Sequence, residues 1–182
     1  TPEGASVGIV KNLAYMTHIT IYSDSLPLYE YIMPNVIPID TITSLDMYKK
    51  VKVFINGAWV GITDSPQELY LMLKDKKFKG IINIYTSIIF DYKLKEIRIC
   101  NDSGRLTRPL LRVKDKNILI TKSLVKKLAN SELTWDNLLT SSKIEDSVIE
   151  YVDPDEQNWS MIATNPRDLF TQEDKMYNYT HC

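Results

Sequence analysis

Four arginines, Arg98, Arg105, Arg108 and Arg112, fall within fifteen positions of this chain. Each carries a planar fork of N–H donors that matches phosphate or carboxylate. The cluster therefore suits a nucleic-acid edge or a subunit interface, the alternative being ion pairs within one domain to Glu96, Asp102 and Asp115. Asp153, Asp155 and Glu156 suggest a hard cation, but a calcium loop needs glycine at its sixth position and glutamate at its twelfth. Asn158 stands at the sixth and the twelfth-position glutamate is absent, which leaves an exposed acidic turn between strands. His18 and His181, the only histidines, are separated by nearly the whole sequence. No G-x-S-x-G, P-loop, G-x-G-x-x-G or H-E-x-x-H accompanies them. The reading assigns no catalytic residue, no metal site and no cofactor to these residues, and an autonomous hydrolase has no supporting constellation. A last candidate lies at the start, where Thr1-Pro2-Glu3-Gly4 precedes Gly8-Ile9-Val10-Lys11-Asn12-Leu13. A rigid turn, then small residues and a lysine, suits a segment passed close to another backbone or a polyanion.

Composition narrows the classes. With 182 residues, 44% hydrophobic and 25% charged, the chain is globular and can bury about 70% of its unfolded surface in one or two small domains. No apolar run approaches a membrane span and no signal-peptide pattern occurs in these residues. A net charge of −1 argues against a stand-alone nucleic-acid binder. Cys100 and Cys182 are too few for a disulfide framework, so an intracellular, reducing location fits. Heavy use of Ile, Lys, Asn and Tyr suggests an AT-rich genome, large DNA viruses being one such source.

Several elements must position these residues. Thr17 to Tyr22 reads as extended, with Pro27, Pro34 and Pro38 breaking regular structure and 34–46 as a connector. Asn56-Gly57 between Val51–Ile55 and Ala58–Ile62 predicts a type I′ hairpin. Ser65-Pro66-Gln67-Glu68 predicts a capping box opening a helix over 66–77, with Lys74, Lys76 and Lys77 in its last turn facing the helix dipole and Gly80 ending it. Asn101-Asp102-Ser103-Gly104 predicts a second hairpin between Glu96–Cys100 and Arg105–Val113, and Pro109 puts the return strand at an edge or near its end. Thr121 or Ser123 caps a short helix through Leu128, and Thr134–Leu139 forms another. Val148–Val152 and Trp159–Ala163 read as a strand pair around the acidic turn. Asn165-Pro166-Arg167-Asp168-Leu169 starts a turn or helix, and 171–179 is a loose tail. Trp59, Trp135, Trp159 and the tyrosines read as packing groups. The fold class is α+β: two small mixed domains with antiparallel hairpins and short packing helices.

Spaced strings then carry a resemblance. T-P-E-G, three residues, and G-I-V-K-N-L at 1–13 resemble the end of the fork region in the second-largest subunit of cellular and viral DNA-directed RNA polymerases. V-F-I-N-G-A-W-V-G at 53–61 resembles that family's V-F-V-N-G-x-W-x-G hairpin. I-C-N-D-S-G-R-L-T-R-P-L at 99–110 resembles its I-x-x-D-[AS]-G-R-x-x-R-P-L string. Trp135–Leu139, Glu150–Asp153, Asn165–Leu169 and Thr180-His181-Cys182 are similar to W-x-x-L-L, E-Y-[IV]-D, P-x-D-L and the opening of T-H-C-E-I-H-P. Lacking an initiator Met and stopping inside the last string, the sequence reads as an excerpt. Ala5-Ser6-Val7 and Ala14-Tyr15-Met16 depart from common forms, and 171–179 replaces a usually longer acidic linker, which fits a compact viral member.

The resemblance implies a division into 1–46 as fork end and connector, 47–120 as first external domain, 121–170 as second external domain, and 171–182 as a linker toward the hybrid-binding domain. It implies a piece of an enzyme that transcribes DNA into RNA, contributing cleft wall and outer scaffold, inactive by itself. Thr1, Pro2, Glu3, Gly4, Lys11 and Asn12 would lie closest to nucleic acid, with Lys11 as the phosphate contact. Partners would be the largest and smaller polymerase subunits, the DNA template and the RNA–DNA hybrid, with no membrane; Mg2+ would be held mainly by the largest subunit. The location would be nucleus or cytoplasm, or a virion for a viral member. The alternative is a non-catalytic protein-interaction module sharing the external-domain fold, recruiting factors through its arginines.

Overall fold

The computed structural model describes residues 12–44, 47–170 and 178–182. Thr1, Pro2, Glu3, Gly4 and Lys11 lie outside them, as does most of the tail read as loose. A short strand, β1 (His18–Ile19), leads into α1 (Leu26–Ile32). This helix corrects the reading of Pro27 as a breaker. In the first helical turn a proline forfeits no intrahelical bond, and the Asp24 side chain accepts the Leu26 amide at 3.0 Å. Leu28 and Ile32, one turn apart, are buried. A 3-10 turn, Met33–Asn35, then delivers β2 (Ile37–Pro38).

The Asn56-Gly57 turn behaves as its composition predicts. Asn56 (φ 48°) and Gly57 (φ 82°) both occupy left-handed backbone, the requirement of a type I′ turn. They join β3 (Val51–Ile55) to β4 (Ala58–Thr63). Then come α2 (Pro66–Phe78), β5 (Ser87–Asp91) and β6 (Glu96–Cys100). The sheet order is β2-β4-β3-β6-β5, with β3 and β6 parallel and the other neighbours antiparallel. Val53, Ile55, Ile97 and Ile99 alternate onto one face and pack with Leu69 and Leu73 of α2 and Ile32 of α1. The capping box at Ser65 is not formed. Ser65 sits at φ −116°, ψ 70° and its hydroxyl makes no cap bond, because that backbone lies off the extended region from which a hydroxyl reaches the third amide. The far end closes as expected, in a Schellman arrangement: Gly80 (φ 71°) donates to Lys77 and Ile81 to Lys76.

Beyond residue 100 the second hairpin is a correction. Asn101–Gly104 is a turn, but it hands the chain from one sheet to another. It delivers β7 (Leu106–Leu111), followed by β8 (Val113–Lys114), β9 (Asn117–Ile118), α3 (Lys122–Ala129), α4 (Trp135–Leu139), β10 (Ile149–Val152) and α5 (Pro154–Gln157). β7 pairs with β1 and with β10, not with β6. The turn is fastened instead by residues 20–24: Thr20 Oγ1 donates to Asp102 O at 2.9 Å, and Asn101 Nδ2 donates to Asp24 O at 3.1 Å. Pro109 does not lie on an edge strand, yet the argument about its missing donor survives. The Leu111 amide points toward Cys182 and the Arg112 amide toward Val148. By strand alternation the Pro109 nitrogen therefore faces the gap between β1 and residue 182.

Two further corrections concern the end of the chain. β10 does not pair with 159–163; its partner is β7, since its four residues are buried and need cover that an exposed hairpin would not supply. The acidic turn is exposed only in part, at Pro154, Asp155, Gln157 and Asn158. Asp153 caps α5 through the Glu156 amide at 2.7 Å, and Asp153 and Glu156 are both buried. The helices at Thr121 and Trp135 and the turn at Asn165 form as predicted, Thr121 accepting the Leu124 amide and Asn165 pairing with Asp168 in a capping box. Leu138, Leu139, Val148, Ile149 and Tyr151 make a second core. The architecture is α+β, as the sequence implies, with mixed small sheets and short helices.

Candidate functional site, a buried charge cluster

The second core meets the first through charge. Lys74 and Lys77 stand three residues apart on α2 and so share a face. Opposite them, Glu150 comes from β10 and Glu156 from α5, and His181 arrives from near the end of the chain. Lys74 Nζ lies 2.6 Å from Glu150 Oε1 and also contacts Glu156 Oε1; Lys77 Nζ lies 2.7 Å from Glu150 Oε1 and 3.7 Å from Glu156 Oε2. The other Glu150 oxygen takes His181 Nε2 at 3.1 Å. All five side chains are buried, Lys77 at 2% exposure. Lys74 and Lys77, expected as last-turn cations suited to the helix dipole, are instead buried against Glu150 and Glu156, while Lys76 is half-buried and Lys79 exposed.

Burial alone would disfavour charge on the Lys74 ammonium, but Glu150 and Glu156 outweigh it and hold its pKa above the usual lysine range. Burial likewise opposes the Glu150 carboxylate, and Lys74, Lys77 and then His181 overcome it, holding its pKa well below the usual carboxylate range. Tyr70 beside them is pushed up, by burial first. Stability then acquires a definite pH dependence. An unfolded Glu150 takes up its proton near 4.5 and the folded one lower, so the unfolded state binds more protons and stability falls as pH drops below 4.5. Lys74 contributes fully below its unfolded value of 10.5 and loses that contribution as pH rises through the higher folded value. Urea midpoints should show a plateau between these limits, and Glu150→Gln should flatten the acid limb; an unchanged acid limb would remove Glu150 from the account.

The cavity against Lys77, Glu150 and Tyr151 is about 10 Å³, room for one water at most. Among the described residues no three His, Cys, Asp or Glu side chains gather into a metal-binding group.

The arginines surround this cluster and cross the same seam. Arg105 Nε meets Asp102 at 2.7 Å, its Nη1 reaches Asp153 at 3.2 Å, and its Nη2 donates to the Tyr85 carbonyl at 3.0 Å. Arg98 pairs with Asp155 at 3.3 Å and Arg108 donates to Gln157 at 2.9 Å. Arg112 donates to the Ser147 carbonyl at 2.7 Å and stacks 3.6 Å over the Phe78 ring; burial lowers its pKa, partly offset by Glu150 and Asp146. Of the pairings foreseen within one domain, Asp102 is made, while Glu96 pairs with Lys52. The dominant partners lie across the seam at 147–157.

Asn12 is exposed and lines a groove of about 530 Å³ with Leu13, Thr107, Arg108 and Val152. His18 stacks on Tyr85 at 4.2 Å, well apart in role from His181. The buried cluster was missed because lysines closing a helix look like dipole partners. The available signal was Lys74 and Lys77 on the face adjoining Leu69 and Leu73, matched by acidic residues in an otherwise apolar strand.

Fold and cluster define two small α+β cores joined through a seam of buried charged groups. Two family models match, "RNA polymerase Rpb2, domain 4" over residues 53–114 and "RNA polymerase Rpb2, domain 5" over residues 135–182. The DNA-directed RNA polymerase II subunit RPB2 of Encephalitozoon cuniculi is 39% identical across 100% of this chain and 16% of its own length. The DNA-directed RNA polymerase II subunit 2 of Arabidopsis thaliana is 34% identical, again over 100% of the chain and 16% of its own length. The DNA-directed RNA polymerase subunit 2 of Acanthamoeba polyphaga mimivirus is 32% identical over 92% of the chain and 14% of its own length. The chain belongs to the family of second-largest subunits of multisubunit DNA-directed RNA polymerases. It spans about a sixth of the length of these relatives, and a eukaryotic and viral spread does not single out a viral source.

Proposed function

We propose that this chain acts within the second-largest subunit of a DNA-directed RNA polymerase, forming outer scaffold and cleft wall in an enzyme that transcribes DNA into RNA. The observation that carries the proposal is identity to such subunits across the whole chain, with two successive Rpb2 domains matched in order. Residues 1–46 are the end of the fork with its connector, 47–120 and 121–170 the two external domains, and 171–182 the lead toward the hybrid-binding domain. Thr1, Pro2, Glu3, Gly4, Lys11 and Asn12 approach nucleic acid, Lys11 through a phosphate. The partners are the largest and smaller subunits together with the DNA template and RNA–DNA hybrid, inside the cell. In this reading Mg2+ is held mainly by the largest subunit of the whole polymerase. An interaction module recruiting factors through its arginines is disfavoured, because Arg105 and Arg112 are engaged within the seam.

The chain alone should incorporate no nucleotide on a primed template with Mg2+ and should give no gel shift at about 0.15 M salt, where surface attraction is screened within ~8 Å. Grafted in place of the matching segment of a relative's subunit, it should assemble with the other subunits and restore transcription. Incorporation by the isolated chain, or a folded graft that fails to co-purify with those subunits, would overturn the proposal.

A further inference from the structure

Residues 180–182 form a very short third partner to β7. The Leu111 amide donates to the Cys182 carbonyl at 3.1 Å, and Cys182 returns the bond at 2.9 Å. Val113 donates to Thr180 at 3.0 Å, and Ala163 donates to His181 at 2.9 Å. His181 thereby bridges Arg112 on one side and Ile162 on the other. Three residues of ladder cannot offset the entropy of ordering them. Thr180 is exposed and Cys182 half-buried, so His181 is the one buried side chain of the three. Its ring is held at both nitrogens, Nδ1 at 2.9 Å from Thr180 Oγ1 and Nε2 at 3.1 Å from Glu150. The Thr180 hydroxyl in turn accepts the Met161 amide at 3.2 Å.

Glu150 divides its carboxylate between two tasks. Oε1 takes Lys74 and Lys77 of α2, while Oε2 takes His181. A buried carboxylate that loses its cations must neutralise or turn toward other donors, and either change withdraws the acceptor that His181 uses. We propose that Glu150 couples the seating of residues 180–182 to the docking of α2 on β10, so that the segment is held only while Lys74 and Lys77 hold the opposite oxygen. The hydrogen bonds and ion pairs of Lys74 and Lys77 go to Glu150, Glu156 and the Tyr151 carbonyl, so the polar link from them to 180–182 runs through the Glu150 carboxylate.

Amide hydrogen exchange of the chain, read residue by residue, tests this. The reporters are the amides of Leu111, Val113, Ala163 and Cys182; the sentinels are Lys52 and Asn56, which donate to Lys95 and Ile99 in the first core. Lys77→Met and Lys74→Met should each speed the reporters by about tenfold or more, the scale of a local opening eased by one lost charged hydrogen bond, with the sentinels unchanged. Glu150→Gln, which keeps shape and length, should give the same pattern more mildly and serves if a lysine variant does not fold. His181→Gln should speed the reporters while the Val148 amide, donating to Leu138, stays slow. Lys79→Met, on the exposed side of the same helix, should change nothing. Reporters unmoved by the lysine variants, or moving in step with the sentinels, overturn the proposal. The test reads the chain by itself, so its failure leaves the polymerase assignment standing.

Discussion

Glu150→Leu should lower unfolding stability by about 3–5 kcal/mol, the range for removing one partner of a buried ion pair. Leucine keeps the volume nearly constant, so the loss measures charge and not a cavity. Two ammonium groups would remain, with Glu156 alone to answer both: Lys77 Nζ is 3.7 Å from its Oε2, too long for a good hydrogen bond. The converse experiment separates net stability from alignment. Replacing all four charged residues together (Lys74→Met, Lys77→Met, Glu150→Leu, Glu156→Leu) should recover most of the loss, because an apolar set of similar size avoids the desolvation that an ion cluster carries. Urea unfolding followed by far-UV circular dichroism gives both numbers. A Glu150→Leu variant within about 1 kcal/mol of the parent, the ordinary size of a surface pair, would show the cluster to be of no energetic consequence.

The next largest effect is expected at Gly61. A Cβ there would run into the Ile37 carbonyl oxygen of β2 and stand 2.6 Å from Val36 Cγ1. The oxygen belongs to the backbone and cannot swing away, so Gly61→Ala must push β2 off β4, at about 2–3 kcal/mol for an overpacked contact. The Trp59 indole donates to the Gly61 carbonyl at 2.8 Å, so tryptophan emission should shift red together with the lowered urea midpoint. Gly57 makes the contrast. Its added Cβ would meet open space, but its φ of 82° is left-handed, and alanine there should cost about 1 kcal/mol through backbone strain alone. Equal losses at the two positions would mean that collision with β2 is not what reserves Gly61 for glycine.

Much of the local structure was legible because short-range physics decides it. Asn56-Gly57 demanded positive φ twice and could serve only as a tight turn. Pro66 with Leu69 and Leu73 marked the start and one face of α2, and Thr121 announced its cap. Where the reading failed, it failed on partners. Pro27 reads as a stop because nothing in sequence shows that Asp24 would start a helix just ahead of it. Asn101–Gly104 was correctly a turn and wrongly a hairpin, since turn chemistry specifies a reversal but not which sheet receives the next strand. Lys74 and Lys77 read only as last-turn cations suited to the helix dipole.

From residue order alone, this chain determined its family, its α+β class and most of its turns and helices, because each depends on backbone angles and periodicities confined to a few neighbouring residues. Only the tertiary structure decided what covers the second side of α2, which strands flank β7, and that one carboxylate serves both lysines and His181. Residues 74, 77, 150, 156 and 181 must meet before any of them can remain charged or polar out of water. That requirement is a property of the shared interior, and no stretch of the sequence taken singly contains it.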